Sequence, residues 1–305
     1  MSTTSRYHGI IPPMITPLRG RDELDVPGLE RLVEHILAGG VSGLFVLGTT
    51  GEGPSLSYRL RRELVDRVCR QVNRRVPVLV GITDTAYVES VNVAKHAADV
   101  GATALVLAPP YYLPEGQPEL REYLSHIVQD LPLPLFLYNM PALTKVYFEI
   151  DTVQWALENQ QIIGFKDSSG NFEYFARVVQ LAKQRPDWPV LMGPEEMLAD
   201  SLRVGGHGGV SGGANIFPRL YVSLYDAFRR GDKAKVNELH NRIMQVSESL
   251  YKIGRHPSAI IKGIKCSLSV LGICDDFLAE PFHRFRAEER SKVEKQVAEL
   301  VKLIQ

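Results

Sequence analysis

The sequence has few cysteines, no long apolar run and no apolar leader. Its three cysteines, Cys69, Cys266 and Cys274, form no CxxC pair and no zinc-like spacing, and their number is odd. This usage favours a reducing cytoplasm over a disulfide framework. Residues 1–9 are polar and lack the apolar core of a signal peptide, and no apolar run approaches the length of a membrane span. We therefore expect a cytoplasmic protein without a membrane partner.

An excess of charge is also missing. The 305 residues include 35 basic and 35 acidic side chains, so the formal net charge is zero. Binding to nucleic acid usually requires a basic excess, and none is expected here. The eight histidines form no HxH or HExxH pair, so the sequence predicts no metal site.

What the chain does contain is a regular alternation of short apolar runs and longer amphipathic segments. The runs start about thirty residues apart, which is the size of a βα unit. They span residues 9–16, 43–48, 77–82, 104–108, 134–139, 162–166, 189–193 and 208–212. Eight such units, without the GxGxxG of a Rossmann helix, predict an α/β fold of the (β/α)8 TIM-barrel type over residues 1–230.

The remaining part of the chain, residues 231–305, lacks strand patterns. Its amphipathic segments predict three helices, at residues 234–251, 257–271 and 287–304. No flexible linker precedes them. We therefore expect a C-terminal three-helix extension that lies beside the barrel.

Lys166 ends one of the apolar runs, and in barrels of this kind sites lie at the carboxyl ends of the strands. Burial there would favour the neutral amine and lower the pKa of the lysine. A neutral amine can attack a ketone and form an iminium, which then accepts electrons from a breaking bond. The alternative is a lysine that extends into solvent or pairs with Asp167. Position alone does not choose between them.

Tyr138 ends the preceding strand, one βα unit upstream of Lys166. Because adjacent parallel strands lie roughly 4.8 Å apart, two inward-facing side chains at corresponding strand ends come within reach for proton transfer. A phenol beside an amine suits the dehydration of a carbinolamine. The alternative is a core tyrosine whose hydroxyl is satisfied by the backbone.

A glycine-rich segment, residues 48–53, follows the second predicted strand and contains Thr49 and Thr50. Such a loop lets backbone N–H groups approach a small anion, and the carboxylate of a keto acid would fit. An ordinary glycine-rich turn is the alternative; a Walker loop is excluded because no GK[ST] follows. Tyr111 and Tyr112 follow two prolines and indicate either a site or a subunit contact.

Ser211 lies in a Gly-Val-Ser-Gly-Gly segment that matches the G-x-S-x-G of a nucleophile elbow. Asp226 and either His240 or His256 follow in the chain order of a serine hydrolase. The elbow belongs in a strand–turn–helix of an open sheet, and residues 208–210 form a poor strand. A serine hydrolase is thus the alternative from another enzyme class, and a barrel that binds a keto acid without catalysis is the third.

Together, four motifs resemble the dihydrodipicolinate synthase and N-acetylneuraminate lyase family over nearly the whole chain. They are Gly-Thr-Thr-Gly-Glu at residues 48–52, the Tyr111-Tyr112 pair, Tyr-Asn-x-Pro at residues 138–141 and Gly-x-Lys-Asp-Ser at residues 164–168. The resemblance implies a class I aldolase that needs no metal or organic cofactor, because Lys166 forms a covalent Schiff base with pyruvate. It also implies a homotetramer, a dimer of dimers, that acts on pyruvate and an aldehyde.

The resemblance implies a role for each matching residue. Tyr138 would relay protons, Thr50 would connect it to Tyr112, and Tyr112 would reach the neighbouring subunit's site from a contact that includes Tyr111. The pyruvate pocket would be formed by Thr49, Thr50, Gly193 and Val210.

Leu143 departs from the synthase pattern, because synthases usually carry an arginine there for the carboxylate of the aldehyde. Losing a bidentate carboxylate partner is not a mild change. The segment at residues 141–143 is more similar to sialate and 2-keto-3-deoxy sugar acid aldolases, and Glu195 and Glu196 would suit a polyol; the double threonine is more similar to synthases. We predict a hydroxylated 2-keto acid as substrate, with 4-hydroxy-tetrahydrodipicolinate synthase, which joins pyruvate to aspartate semialdehyde, as the alternative.

Overall fold

The structure, a computed structural model, describes residues 6–304 and contains the strand and helix alternation that the apolar runs predict. The strands are β1 Gly9–Ile10, β2 Leu18–Gly20, β3 Glu23–Leu24, β4 Leu44–Val46, β5 Val78–Gly81, β6 Ala104–Leu107, β7 Leu135–Asn139, β8 Ile162–Asp167, β9 Val190–Met192 and β10 Gly208–Gly209. The helices are α1 Val26–Ala38, α2 Tyr58–Val72, α3 Tyr87–Asp99, α4 Gln117–Asp130, α5 Pro141–Thr144, α6 Ile150–Leu157, α7 Phe172–Ala182, α8 Leu198–Arg203, α9 Pro218–Arg229, α10 Lys233–Leu250, α11 Ala259–Val270 and α12 Ala287–Ile304.

Eight of the strands in residues 6–304 form one parallel sheet, in the order β1-β10-β9-β8-β7-β6-β5-β4. Pro13, just after β1, makes an isolated parallel bridge with Phe45 of β4, so the two edges of the sheet meet. The predicted α/β class and eight-stranded parallel sheet are confirmed. The first predicted strand is shorter than expected, because Pro12 and Pro13 cannot donate ladder hydrogen bonds. The last one, β10, has only two residues, and β2 and β3 form an antiparallel hairpin that the patterns did not predict.

The strands bury both faces, which explains why they read as continuous apolar runs. One face joins a small inner cluster that includes Ile11, Phe45, Leu79, Phe136, Tyr138, Leu191 and Val210. The other face packs against the helices in a much larger cluster. Since side chains alternate along a strand, Phe136 and Tyr138 of β7 share the inner face.

Helix starts follow the capping residues in the sequence. Ser57, directly before α2, accepts a hydrogen bond from the Leu60 N–H at 3.2 Å, and Asp25 accepts one from the Gly28 N–H at 3.0 Å at the start of α1. These contacts satisfy N–H groups that have no partner within the helix. These caps fix the residues at which α1 and α2 begin.

The three helices predicted after residue 230 are present as α10, α11 and α12, each within two residues of the expected bounds. Helix α10 packs against both α9 and α12, so the extension is continuous with the helices around the sheet. All three cysteines are free and buried. Within residues 6–304, none of the helices is long and apolar enough to cross a membrane.

Candidate active site

A cavity of about 460 Å³ opens where several parallel strands end. It collects residues that are far apart in the chain but follow, or end, strands β4, β7, β8, β9 and β10. Nine of the sequence-predicted site residues line it: Thr49, Thr50, Tyr138, Leu143, Lys166, Gly193, Glu195, Glu196 and Val210. The carboxyl ends of the strands therefore form one site.

Lys166 lies in this cavity with only 5% of its surface exposed. Its register partner across β7 and β8 is Tyr138, and the Lys166 Nζ lies 3.9 Å from the centroid of the Tyr138 ring. Phe45 covers another side, with its ring centroid 5.0 Å from Nζ. Burial among these rings lowers the pKa of Lys166 below its ordinary value, although the Tyr138 phenol partly opposes the shift. The amine thus loses its proton more readily than a surface lysine does.

Asp167, the alternative partner of Lys166, points elsewhere. Its Oδ1 accepts hydrogen bonds from the Asn139 Nδ2 at 2.8 Å and from the Ser169 N–H at 3.1 Å, and its Oδ2 accepts one from the Ser169 hydroxyl at 3.0 Å. Within residues 6–304 no ion pair joins Asp167 to Lys166. The alternatives of a solvated or Asp167-paired lysine are therefore both wrong, because Lys166 is buried without a carboxylate partner.

Tyr138 forms the second part of the site. Its hydroxyl lies 3.2 Å from the Thr49 hydroxyl and shares a hydrogen bond with it. Burial raises the pKa of Tyr138, but the charge of Lys166 and hydrogen bonds with Thr49 and Ser168 outweigh this and lower it overall. The phenol therefore gives up its proton more readily than a free tyrosine does.

The hydroxyl that contacts Tyr138 belongs to Thr49, whereas the sequence prediction gave this contact to Thr50. Both threonines line the cavity, but in the described part of the chain only the Thr49 hydroxyl reaches Tyr138. Tyr112 is 88% exposed and has a left-handed φ of 84°, so it does not complete the cavity of its own chain. Tyr111 lines a smaller neighbouring cavity of about 240 Å³, which also contacts Tyr138.

Gly193 and Val210 both border the cavity as expected. A Cβ on Gly193 would clash with the Ser168 hydroxyl, so only glycine permits β9 and the loop after β8 to approach this closely. Leu143, on α5, is 54% exposed at the rim. It presents an apolar side chain there, with no cationic group.

The model of the dihydrodipicolinate synthetase family matches residues 6–300. The chain belongs to this family. The probable 2-dehydro-3-deoxy-D-pentonate aldolase YjhH of Escherichia coli is 30% identical over 291 residues, covering 94% of this chain and 95% of that protein. The predictions of the family and of a lyase are confirmed.

Two solved structures of the dihydrodipicolinate synthetase family have the same fold. The dihydrodipicolinate synthase of Bacteroides thetaiotaomicron is 55% identical, with a TM-score of 0.93 over 96% of this chain and 98% of that one. The Escherichia coli protein YagE, solved in complex with pyruvate, is 29% identical, with a TM-score of 0.91 over 97% and 99% of the two chains.

Glu195 of this family member is held by the protein itself. Its Oε1 accepts hydrogen bonds from the hydroxyls of Tyr221 at 2.5 Å and Tyr251 at 3.0 Å, and its Oε2 accepts one from the Gly213 N–H at 2.8 Å. Burial raises the pKa of Glu195 to about 7, although the Gly213 N–H opposes the shift. Glu195 thus shapes the wall, whereas the half-buried Glu196 makes none of these contacts within residues 6–304.

The raised pKa predicts that Glu195 weakens the fold as the pH rises. Folded Glu195 keeps its proton up to about pH 7, whereas the unfolded chain loses it near 4.5, so stability falls between these values. The full loss is about 3 kcal/mol, from the size of the shift. Denaturant unfolding at pH 4.5 and pH 7.5 should show this drop in the wild type and a much smaller one in Glu195→Gln. The exposed Glu158→Gln variant is the control; parallel curves for all three proteins would contradict the prediction.

Ser211 does not form a hydrolase site in this family member. Its side chain is fully buried, and within residues 6–304 its hydroxyl has no hydrogen-bond partner, neither His240 nor His256. The nucleophile–base contact that a serine hydrolase requires is therefore not assembled.

Replacing Ser211 by alanine should leave lyase activity unchanged. The variant removes a buried hydroxyl that makes no bond, so the thermal midpoint should stay level or rise slightly. Steady-state kinetics and a thermal melt check both parts, and a fluorophosphonate probe should label neither protein. If the Ser211→Ala variant folds but loses all activity, the result would instead support the serine hydrolase alternative.

Several cavity residues were missed by sequence reasoning. Phe45, which lies beside Lys166 and lines the smaller neighbouring cavity, could have been found from strand alternation, because it faces the inner cluster from β4 while Leu44 and Val46 face the helices. The others lie in the C-terminal extension and include Tyr251, Ile261 and Phe282. No local signal marks them, because they reach the cavity only through the packing of the extension.

Proposed function

We propose that the protein is a Schiff-base lyase that makes or breaks a carbon–carbon bond next to pyruvate, with Lys166 as the nucleophile. The observation that carries the proposal is a buried amine, 3.9 Å from the centroid of the Tyr138 ring, in a cavity at the ends of parallel strands. Burial favours the neutral, reactive form of the amine, and the phenol is within reach to move protons.

The first half of the proposed reaction attaches the keto acid. The neutral amine of Lys166 adds to the ketone carbon, and the resulting carbinolamine loses its hydroxyl as water to leave an iminium. Tyr138 supplies the proton for that departure, and Thr49, 3.2 Å away, orients the phenol. The N–H groups of the loop at Thr49 and Thr50 are the proposed site for the carboxylate.

The second half breaks the bond. Tyr138, which gave up its proton in the dehydration, accepts the proton of the substrate hydroxyl as the bond breaks between the carbons that become the aldehyde and the pyruvate methyl. The electron pair moves into the iminium and gives an enamine, which is protonated at carbon and hydrolysed to free pyruvate and Lys166. The iminium is the electron sink, so the proposed reaction needs no resident metal or organic cofactor.

The lining of the cavity favours a hydroxylated 2-keto acid as the substrate. Lys166 is the one basic side chain among the described residues that line the cavity, while Glu52, Glu195 and Glu196 are acidic. A second carboxylate, as in aspartate semialdehyde, would lack a cationic partner at Leu143. Hydroxyl groups of a polyol can donate to the half-buried Glu196. Glu195 is the weaker candidate, because its oxygens already accept three hydrogen bonds.

Synthesis from pyruvate and aspartate semialdehyde is the second candidate. The 55% identity to a dihydrodipicolinate synthase favours it, as does the Thr49-Thr50 pair. Two parallel assays decide between these candidates. One measures cleavage of 2-keto-3-deoxy sugar acids as the release of pyruvate, and the other measures condensation of pyruvate with aspartate semialdehyde. Efficient condensation with no cleavage would end the sugar-acid proposal and leave the lyase mechanism intact.

The mechanism is tested by incubation with pyruvate and sodium borohydride, followed by mass spectrometry of the intact protein and its peptides. Reduction of the iminium should fix one pyruvate per chain on Lys166. A folded protein that gains no adduct would contradict the proposal and leave a barrel that binds a keto acid without catalysis.

The proposal also covers the domain organisation, the assembly and the cellular location of the protein. The meeting of Pro13 with Phe45 supports a closed (β/α)8 barrel over residues 1–230, followed by the helical extension of residues 231–305. The exposed Tyr112 supports a homotetramer in which Tyr111 and Tyr112 lie at a subunit contact. The free cysteines fit a cytoplasmic enzyme.

A further inference from the structure

A buried ion pair joins the threonine loop to the C-terminal extension. The Glu52 carboxylate, directly after Thr49-Thr50-Gly51, contacts the Lys265 ammonium of helix α11. The side chains are 1% and 0% exposed, respectively. Removing two charges from water is costly, so such a pair persists only where further hydrogen bonds support it.

The hydrogen bonds around the pair come from one segment of the extension. The Lys265 Nζ donates to the Phe277 carbonyl at 2.7 Å, and the Ala279 N–H donates to the Glu52 Oε2 at 2.8 Å. Phe277 in turn makes an antiparallel bridge with Leu18 of β2. The pair is therefore the centre of a junction between loop, helix and extension.

Glu52 is tied to Thr49 by the backbone. The Glu52 N–H donates to the Thr49 carbonyl at 3.0 Å, and the Gly53 N–H donates to the Gly48 carbonyl at 3.2 Å. Glu52 also has a left-handed φ of 56°, a conformation that a free glutamate rarely adopts. In that conformation the Glu52 carboxylate contacts both Lys265 and the Ala279 N–H.

The other end of the junction reaches the cavity as well. Ile261 lies four residues before Lys265 on α11, hence on the same helix face, and it lines the cavity. Fixing Lys265 therefore fixes the position of this wall relative to Thr49. One buried contact thus links the two sides of the cavity.

We propose that Glu52 and Lys265 are positioning residues through which the C-terminal extension holds the Thr49–Thr50 loop in the conformation that binds pyruvate. The inference rests on the proposed function, because it concerns the keto-acid carboxylate and the Tyr138 contact. Neither residue exchanges protons with the substrate. Their effect is on the pyruvate concentration that half-saturates the enzyme and on the rate of iminium formation.

The test is the double variant Glu52→Gln/Lys265→Met, which removes both charges and keeps similar volumes. Replacing both members of a buried pair is often neutral for stability, whereas removing one leaves an unpaired charge. We expect the folded double variant to need about 10- to 100-fold more pyruvate for half-maximal borohydride trapping, the scale of a small misplacement. The rate at saturating pyruvate should fall less.

Arg290→Met is the matched control, since Arg290 pairs with Asp276 inside the extension and does not contact Glu52. It should trap pyruvate as the wild type does. A folded double variant with wild-type concentration dependence would overturn the proposal. If the double variant does not fold, Glu52→Asp decides: it keeps the charge but shortens the reach, so unchanged pyruvate dependence overturns the proposal and a raised value supports it. A wild type that forms no adduct would instead refute the lyase mechanism.

Discussion

Replacement of Lys166 by methionine should abolish the covalent capture of pyruvate and lower kcat by roughly 10⁴- to 10⁶-fold, the range seen when a member of a nucleophilic constellation is removed. Methionine has a similar length and suits the aromatic surroundings of Phe45 and Tyr138. Because a buried amine is replaced by an apolar chain, the fold should remain or become more stable. A loss of activity in Lys166→Met would therefore be due to the missing amine and not to unfolding.

Two other lysines give the controls for this experiment. Lys183 is exposed after α7, and Lys183→Met should keep full trapping and turnover. Lys265 is the other buried lysine among the described residues, but the Glu52 carboxylate contacts it. Peptide mapping should therefore find pyruvate on Lys166 and none on Lys265. An adduct that persists in Lys166→Met at the wild-type rate would remove Lys166 from the mechanism.

Replacement of Tyr138 by phenylalanine should lower kcat by about 10²- to 10⁴-fold, the usual contribution of a positioned acid–base group. The ring beside Lys166 is retained, so the loss comes from the hydroxyl. Borohydride should still trap pyruvate on Lys166, but slowly, because dehydration of the carbinolamine lacks its proton donor. Adding borohydride at successive times and measuring the amount of adduct separates slow iminium formation from a failure to bind pyruvate.

Thr49→Val provides the internal comparison for Tyr138→Phe. It removes the hydroxyl 3.2 Å from the phenol but leaves the phenol itself, so its loss of kcat should be smaller. Thr50→Val should leave the Tyr138 contact intact and act mainly on pyruvate affinity. Equal trapping rates in Tyr138→Phe and wild type would exclude Tyr138 as the proton relay.

The fold and the reacting pair follow from short-range sequence patterns. Each of the eight strands of the parallel sheet coincides with a predicted apolar run, and the spacing of the runs implies the parallel sheet. Lys166 and Tyr138 lie near the ends of consecutive strands, so strand geometry predicts that they are neighbours. In the structure they are direct register partners across β7 and β8. These predictions succeed because each depends on one segment or on two adjacent ones.

The remaining parts of the site depend on orientations and distant packing. Thr49 and Thr50 are chemically identical in the sequence, and only the backbone path decides which hydroxyl meets Tyr138. Glu195 reads as a free carboxylate after a strand, but Tyr221 and Tyr251, distant in sequence, occupy its oxygens. Neither outcome has a local sequence signal.

The cavity has two walls with different origins in the chain. The strand ends carry Lys166, Tyr138 and Thr49, whereas Tyr251, Ile261 and Phe282 come from the helical extension. Mutations in the extension can therefore change the shape of the cavity around the aldehyde half of the substrate, while the residues that react with the keto acid stay the same. An engineer seeking a new acceptor would randomise these extension positions and leave the Glu52–Lys265 junction alone.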